Sequence, residues 1–459
     1  MGNLFEVMAR FIRSPAFKFG LIGFLILLLL IPLFMVNALV YERENRAREV
    51  RNEVSQTWGP EQRLNGPFLA VPYTIRTETV QGDKRIEQFI ERRALFTPET
   101  IDITGGTDAK TLRRSIFEVP VYSARTTLTG RFAAPRITDV AADAVTVRWR
   151  DASLVLGLSG VSGLKNAAVL KIANAQDVAF SPSLGMPAGQ TTGIHAKLAG
   201  AGAKVMPDLE KAPVAFDFSI DLTFNGSVSL VFAPAARETR VALSSNWPHP
   251  SFSGAFLPDE RQITATGFKA SWKIPHLARS VPEAWSAAEN GIERLAPYAF
   301  GVRMVEPVDF YSMVNRATKY GLMFLTLAFM AVFCLEFVAK TSVHPVQYLF
   351  TGIALIFFYV LLLSLAEHIG FAPAYLFASV ATGGMLAGYI GRVFESRRLG
   401  LIMLATFAVI YLLLYVILKL EDYALLAGAL LGFVALTAVM FATLRVDWSG
   451  RGAKPLSGA

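Results

Sequence analysis

The chain holds little of what builds catalytic or metal chemistry. Of its 459 residues one is cysteine and five are histidine. A lone Cys334 inside an apolar run excludes a disulfide framework and a thiolate metal site, so the core alone must hold any folded region together. His-Glu-x-x-His is absent, which argues against a zinc peptidase, and no serine stands in a Gly-x-Ser-x-Gly elbow. The glycines at Gly105-Gly106 and between Gly157 and Gly163 lack the Gly-Lys-Ser/Thr ending that a phosphate loop needs, so ordinary turns explain them. No cofactor is implied. Charged residues make up 17% of the chain, fewer than the roughly 25% of a soluble domain. The net charge of +8 is spread along the chain and much of it flanks apolar runs. Membrane lipids, through their anionic headgroups, are therefore the expected counter-charge, and nucleic acid is not.

What the chain does have is hydrophobic length: 53% of its residues are hydrophobic and its mean hydropathy is +0.42. One run spans Phe19 to about Leu39, and five more span Tyr320–Val338, Val346–Ala366, Phe371–Gly391, Leu399–Leu418 and Tyr423–Leu444. A helix of about 20 apolar residues matches a bilayer's hydrocarbon thickness. The first run is too long for a signal-peptide core and ends at Phe34-Met35-Val36-Asn37 without a small-residue cleavage site, so it reads as a retained anchor. The expected fold is a membrane protein with six transmembrane helices, one N-terminal and five C-terminal, and a large inserted all-β, sandwich-like extracytoplasmic domain. The expected boundaries are a cytoplasmic N-terminus (1–18), an anchor (19–40), a periplasmic β-rich domain with a helical stalk (41–319), a five-helix bundle (320–444) and a cytoplasmic tail (445–459).

Basic residues in short loops set the orientation. With the N-terminus in the cytoplasm, that side holds Arg10, Arg13, Lys18, Lys340, Arg392, Arg397, Arg398, Arg445, Arg451 and Lys454, while the short outer loops hold only Lys419. Arg43, Arg46, Arg48 and Arg51 follow the anchor on the outer side, interleaved with Glu42, Glu44, Glu49 and Glu53. Long translocated domains largely escape the rule, and the i, i+4 pairs Glu42 to Arg46 and Glu44 to Arg48 predict a solvated helical stalk.

The centre of the chain reads as strands. Phe216, Phe218, Ile220, Leu222 and Phe224 alternate with polar residues, and Asn225-Gly226 predicts a tight hairpin before Val228, Leu230 and Phe232 resume the pattern. Further strands are expected at Pro67–Ile75, Val119–Arg125, Val145–Trp149, Arg240–Leu243 and Gln262–Trp272. A faint echo relates Gly130, Phe132 and Pro135 before Trp149 to Gly254, Phe256 and Pro258 before Trp272, as a duplication or a coincidence.

Several clusters then carry a family likeness. Trp58-Gly59 with Gln62, Gly66-Pro67, Val71-Pro72-Tyr73 and the run Ile116–Tyr122 resemble the periplasmic region of the CreD family of bacterial inner-membrane proteins. So do Ser251-Phe252-Ser253-Gly254, Leu257-Pro258, Gly267-Phe268 with Trp272, Pro307-Val308-Asp309 with Tyr311, Arg316–Gly321, His344–Tyr348 and Ser364–Phe371. The likeness covers about Trp58 to Tyr375 and fades after Gly391. It implies an inner-membrane protein of cell envelope integrity, with roles in stress response and colicin tolerance under two-component control. It implies a location and a phenotype class, without a mechanism.

Candidate functional residues cluster near the ends of the apolar runs. Glu336 is a carboxylate within an apolar span, which is costly unless paired or functional, and Lys340 four residues on predicts a local ion pair. His344 and Gln347 open the third run around Pro345, as a helix cap or, alternatively, a proton relay or lipid contact. Ser364, Glu367 and His368 are expected in the turn between the third and fourth runs, with Gly370 as its cap. They lie too close along one stretch for a hydrolase triad. Asp309, Arg316 and Lys319 enter the membrane on the same outer face, and Glu367 is expected to pair with Arg316 or Lys319. Three function classes stay open: a non-enzymatic envelope protein whose β-domain binds an envelope protein or cell-wall component, a transporter or channel, and a membrane-bound enzyme acting on lipid or cell-wall precursors. The oligomeric state is not legible.

Overall fold

The computed structural model describes residues 15–81, 84–185, 192–289, 291–305, 310–339, 341, 343–420 and 423–443. They form two compact units, one of residues 1–47 with 308–459 and one of residues 48–307.

The first unit is helical. Its elements are α1 (Pro15–Trp58, which continues into the second unit), α2 (Phe310–Lys319), α3 (Gly321–Ala339), α4 (Pro345–Ile369), α5 (Phe371–Val393), α6 (Arg397–Lys419) and α7 (Ala424–Thr443). Among the described residues α1, α4, α5 and α6 are each long and apolar enough to cross a bilayer, and α2 with α3, meeting at 51°, makes a fifth if the bent pair is one span. The chain is thus a multi-pass membrane protein with an N-terminal apolar helix, several C-terminal ones and a large β-region between them.

Although α1 is apolar all round from Phe19 to Val36, it buries one stripe: Ile22, Leu25, Leu29, Leu33, Val36 and Val40. Steps of three and four residues place these side chains on one face. Two of them enter glycine sockets. A Cβ on Gly352 of α4 would lie 2.1 Å from Leu29, and one on Gly321 at the start of α3 would lie 2.8 Å from Leu33. Backbone approach of this kind drives helix association where lipid offers no hydrophobic reward. Phe24, Leu27, Ile31, Phe34 and Met35 stay on the exposed face.

The second unit is built on a 10-stranded and an 8-stranded sheet. Inward residues of both meet in one core, with Leu69, Val71, Tyr73 and Leu154 from the first and Ile103, Leu128, Phe218, Leu222 and Trp272 from the second. The strand Gln62–Gln81 also buries its other face, because Phe68 and Ala70 pack with Trp285, Ile292 and Leu295. Two-sided burial explains why Phe68 to Val71 are apolar without a break. At the end of α1, Val50 and Val54 pack on Val119 and Val121, and Trp58 donates its indole N–H to the Tyr122 carbonyl (3.2 Å). The expected stalk is therefore partly core rather than fully solvated.

The expected hairpin at Asn225-Gly226 does not form. One strand runs from Phe216 to Ser227, and Asn225 and Gly226 pair with Ser123 and Tyr122 inside it. The chain turns at Val228, whose φ is +61°, and Ser229–Phe232 joins the other sheet, parallel to Gln62–Leu64. Gly226 serves close approach: a Cβ there would lie 2.3 Å from the Tyr122 hydroxyl, which donates to the Ser229 carbonyl at 2.6 Å. Full burial pushes that phenol well above its ordinary pKa. Asn225 accepts a hydrogen bond from Ser123 through its side chain and one from Gln62 through its carbonyl. The expected strand Gln262–Trp272 is instead two, Glu260–Thr264 and Gly267–Pro275, paired antiparallel. Trp149 stands in a 3-10 turn whereas Trp272 lies within a strand, so the suggested echo has no structural counterpart there.

Candidate functional site

Among the described residues, the helical unit ties two embedded carboxylates, Glu336 and Glu367, near the ends of helices. Glu336, near the end of α3, is buried; it pairs with Lys18 of α1 and accepts a hydrogen bond from the Tyr348 hydroxyl of α4 (3.0 Å). At the far end of α4, Glu367 takes both forks of Arg43, Nε at 2.7 Å and Nη2 at 2.8 Å, and a third donor, the Tyr311 hydroxyl of α2, at 2.9 Å. Each site is a carboxylate held by one base from α1 and one phenol. Between them Asn37 donates to the Thr318 hydroxyl of α2 (3.0 Å).

The spacing is informative. Lys18 and Arg43 lie 25 positions apart on one helix, a rise of about 37 Å, against roughly 30 Å of hydrocarbon. Both ionic sites therefore fall at the two interfaces, where charged groups reach water and pairing costs least.

These contacts revise the sequence expectations. Glu336 engages Lys18, which precedes it by 318 positions; Lys340 lies outside the described residues. Glu367 engages Arg43 and Tyr311 instead of Arg316 or Lys319. The cause is helix facing: on α2, Tyr311, Val314 and Thr318 form the buried side, Arg316 is half-buried and Lys319 is exposed. Asp309 lies outside the described residues. Ser364, Glu367 and His368 belong to the last turns of α4, not to the connecting turn, and Ser364 and His368 are exposed. The link to α5 is Gly370, with φ +79°, whose N–H reaches the Ala366 carbonyl at 3.1 Å. His344 and Gln347 cap α4 reciprocally. The His344 ring accepts the Val346 N–H, and the Gln347 side chain accepts the His344 N–H at 2.8 Å. Pro345 fits the first helical position because its missing N–H has no partner to lose there.

Sequence reasoning did not find a hydroxyl network inside the bundle. Tyr375 of α5 donates to the Tyr411 carbonyl of α6 (2.7 Å), and Thr382 meets the Tyr411 hydroxyl at 2.7 Å while donating to or accepting from it. Their i, i+7 spacing on α5 was the available signal, hidden in a run that reads as one membrane span. In the β-unit an open cleft of about 560 Å³ lies against Asp102, Thr104, Arg240, Asp259, Ser271 and Lys273. Arg240 pairs with Asp102 at 3.3 Å, and the Lys273 N–H reaches Asp259 at 2.7 Å.

The comparisons agree with this architecture. Residues 14–449 match the family model described as inner membrane protein CreD. The inner membrane protein CreD of Escherichia coli (strain K12) is 30% identical over 441 residues, covering 95% of this chain and 94% of that protein. A match of that extent takes in α1, the β-region and the helices after it, and so the chain belongs to the CreD family of inner membrane proteins.

Proposed function

We propose that the chain is a six-span, non-enzymatic scaffold that supports envelope integrity, with both termini in the cytoplasm and a periplasmic β-unit that binds an envelope protein or cell-wall component. The observation that carries this reading is where the ionisable groups lie. Among the described residues of α3, α4, α5 and α6, the carboxylates are Glu336 and Glu367, both near helix ends and both engaged. A proton or ion path needs such groups near the bilayer midplane, and there the bundle offers phenols and a threonine. Anchoring, rather than transport, is what paired terminal charges supply. Exposure of Ser364 and His368, with Glu367 held by two partners, supports a non-enzymatic role for that cluster. The asymmetry of short-loop arginines supports the orientation.

The binding face we assign to the β-unit is the cleft beside Arg240, Asp259 and Lys273, which offers donors and acceptors of both signs to a polar partner. In a Cys334→Ser background, single cysteines at Asp259 and at Arg397 test the reading with a membrane-impermeant maleimide. Labelling at 259 and protection at 397 is expected once the outer membrane is opened; the reverse pattern refutes the orientation. Photocrosslinking from position 273 in intact cells should capture an envelope component, and capture unchanged by Arg240→Glu refutes the assigned face.

A further inference from the structure

The turn between α5 and α6 concentrates positive charge on a rigid support. Arg392 ends α5, Arg397 and Arg398 open α6, and all three are exposed. None of their side chains makes an ion pair or hydrogen bond among the described residues, and neither does that of Glu395 between them, whose backbone N–H bonds the Arg392 carbonyl at 3.1 Å, so the turn carries a local charge of about +2. The backbone beneath is pinned. A Cβ on Gly391 would lie 3.1 Å from Gly400 Cα, the Ser396 N–H reaches the Gly391 carbonyl at 3.0 Å, and Phe394 is buried. Two arginines in the first turn of α6 also oppose the helix dipole, which favours acids there. Such a patch is stabilised by an anion, and arginine forks match phosphate oxygens.

The surface below the arginines shows what else the ligand carries. Gly388 and Gly384 lie one and two turns before Arg392 on the same stripe of α5, both exposed, with no atom within 4 Å of the position a Cβ would take. One turn into α6, Leu401 and Ile402 are exposed. By chain direction this turn lies at the end of the bundle where Lys18 meets Glu336, an interface by the spacing argument above. We propose that the turn is a binding site for an anionic phospholipid, with the headgroup phosphate held by Arg392, Arg397 and Arg398 and an acyl chain lying over Gly388 and Gly384. Arginines that only orient the chain need charge alone, whereas this site needs their geometry as well.

The test uses the full chain purified in detergent and titrated with fluorescent phosphatidylglycerol or phosphatidylcholine. Phosphatidylglycerol should bind more tightly. The variant R397Q/R398Q should weaken it about thirtyfold, two charges at the near-surface value per basic residue, and leave phosphatidylcholine unchanged. R397K/R398K, which keeps the charge, should fall between the two, and G388L should weaken phosphatidylglycerol by blocking the stripe. Circular dichroism without lipid confirms that each variant is folded. Equal affinity of R397Q/R398Q and the parent for phosphatidylglycerol overturns the site. Equal affinity of the parent for both lipids overturns it too. Displacement of the lipid by millimolar inorganic phosphate overturns the assignment to a lipid, and no loss in G388L overturns the acyl-chain path.

Discussion

Replacing Glu367 by glutamine tests how α1 is held to the bundle. The carboxylate accepts three charge-assisted hydrogen bonds, two from Arg43 and one from Tyr311; its side chain is 9% exposed and that of Arg43 is 34% exposed. Breaking a fully buried pair costs about 3–5 kcal/mol, while an exposed pair contributes about 0–1 kcal/mol. With a third of the guanidinium in contact with solvent, Glu367→Gln should cost about 2 kcal/mol. Arg43→Gln strands the better buried partner and should cost about 3 kcal/mol. The double variant leaves no unpaired charge, so it should cost about 3 kcal/mol instead of the sum of about 5, a coupling of about 2 kcal/mol. Detergent-micelle unfolding followed by far-ultraviolet circular dichroism is the suitable assay, because every described tryptophan lies in the β-unit and fluorescence would report the wrong unit. Lys319→Gln, paired with Glu367→Gln, should be additive within about 0.5 kcal/mol. Additivity for Arg43 with Glu367, or strong coupling for Lys319 with Glu367, would refute the assigned partner.

Three further outcomes follow from the packing. Gly226→Ala puts a methyl 2.3 Å from the Tyr122 hydroxyl and should cost about 3–5 kcal/mol through overpacking and loss of the buried bond to Ser229, whereas Tyr122→Phe should cost only about 1–2 kcal/mol; thermal melts followed by tryptophan fluorescence distinguish them. Gly352→Leu fills the Leu29 socket and should free α1, read as loss of a disulfide crosslink engineered between α1 and α4 while the β-unit's melt stays unchanged. Asp221 has its pKa lowered by Lys171 and Thr127, so its contribution is present above the unfolded carboxylate value and lost as pH falls through the lower folded value. Asp221→Asn should therefore flatten the acid limb of the stability profile by under about 1 kcal/mol, the pair being half exposed, and an unchanged acid limb would count against the assignment.

Long apolar runs and period-two alternation were legible because they are local: each signal lies within one element, as in Phe371–Val393 or Phe216–Phe224. What failed depended on distant partners. Asn225-Gly226 is a strong hairpin signal in isolation, yet here the glycine admits the ring of Tyr122, more than a hundred positions earlier. The buried stripe of α1 left no periodic trace because lipid requires the opposite face to be apolar as well. Glu336 and Glu367 were recognisable as costly residues, but their bases arrive from α1 rather than from their own neighbourhoods. The caps at His344 and Gly370 were readable because capping spans only a few residues.

Leu29 and Leu33 also bear on the order of biogenesis. Gly321 and Gly352, which receive them, leave the ribosome about 300 residues later, tens of seconds at bacterial rates of roughly 5–20 residues per second. During that wait the first helix has only lipid for company. An oily circumference lets it reside alone in the bilayer, and recognition is deferred to shape, through two notches that the whole β-unit precedes in the chain.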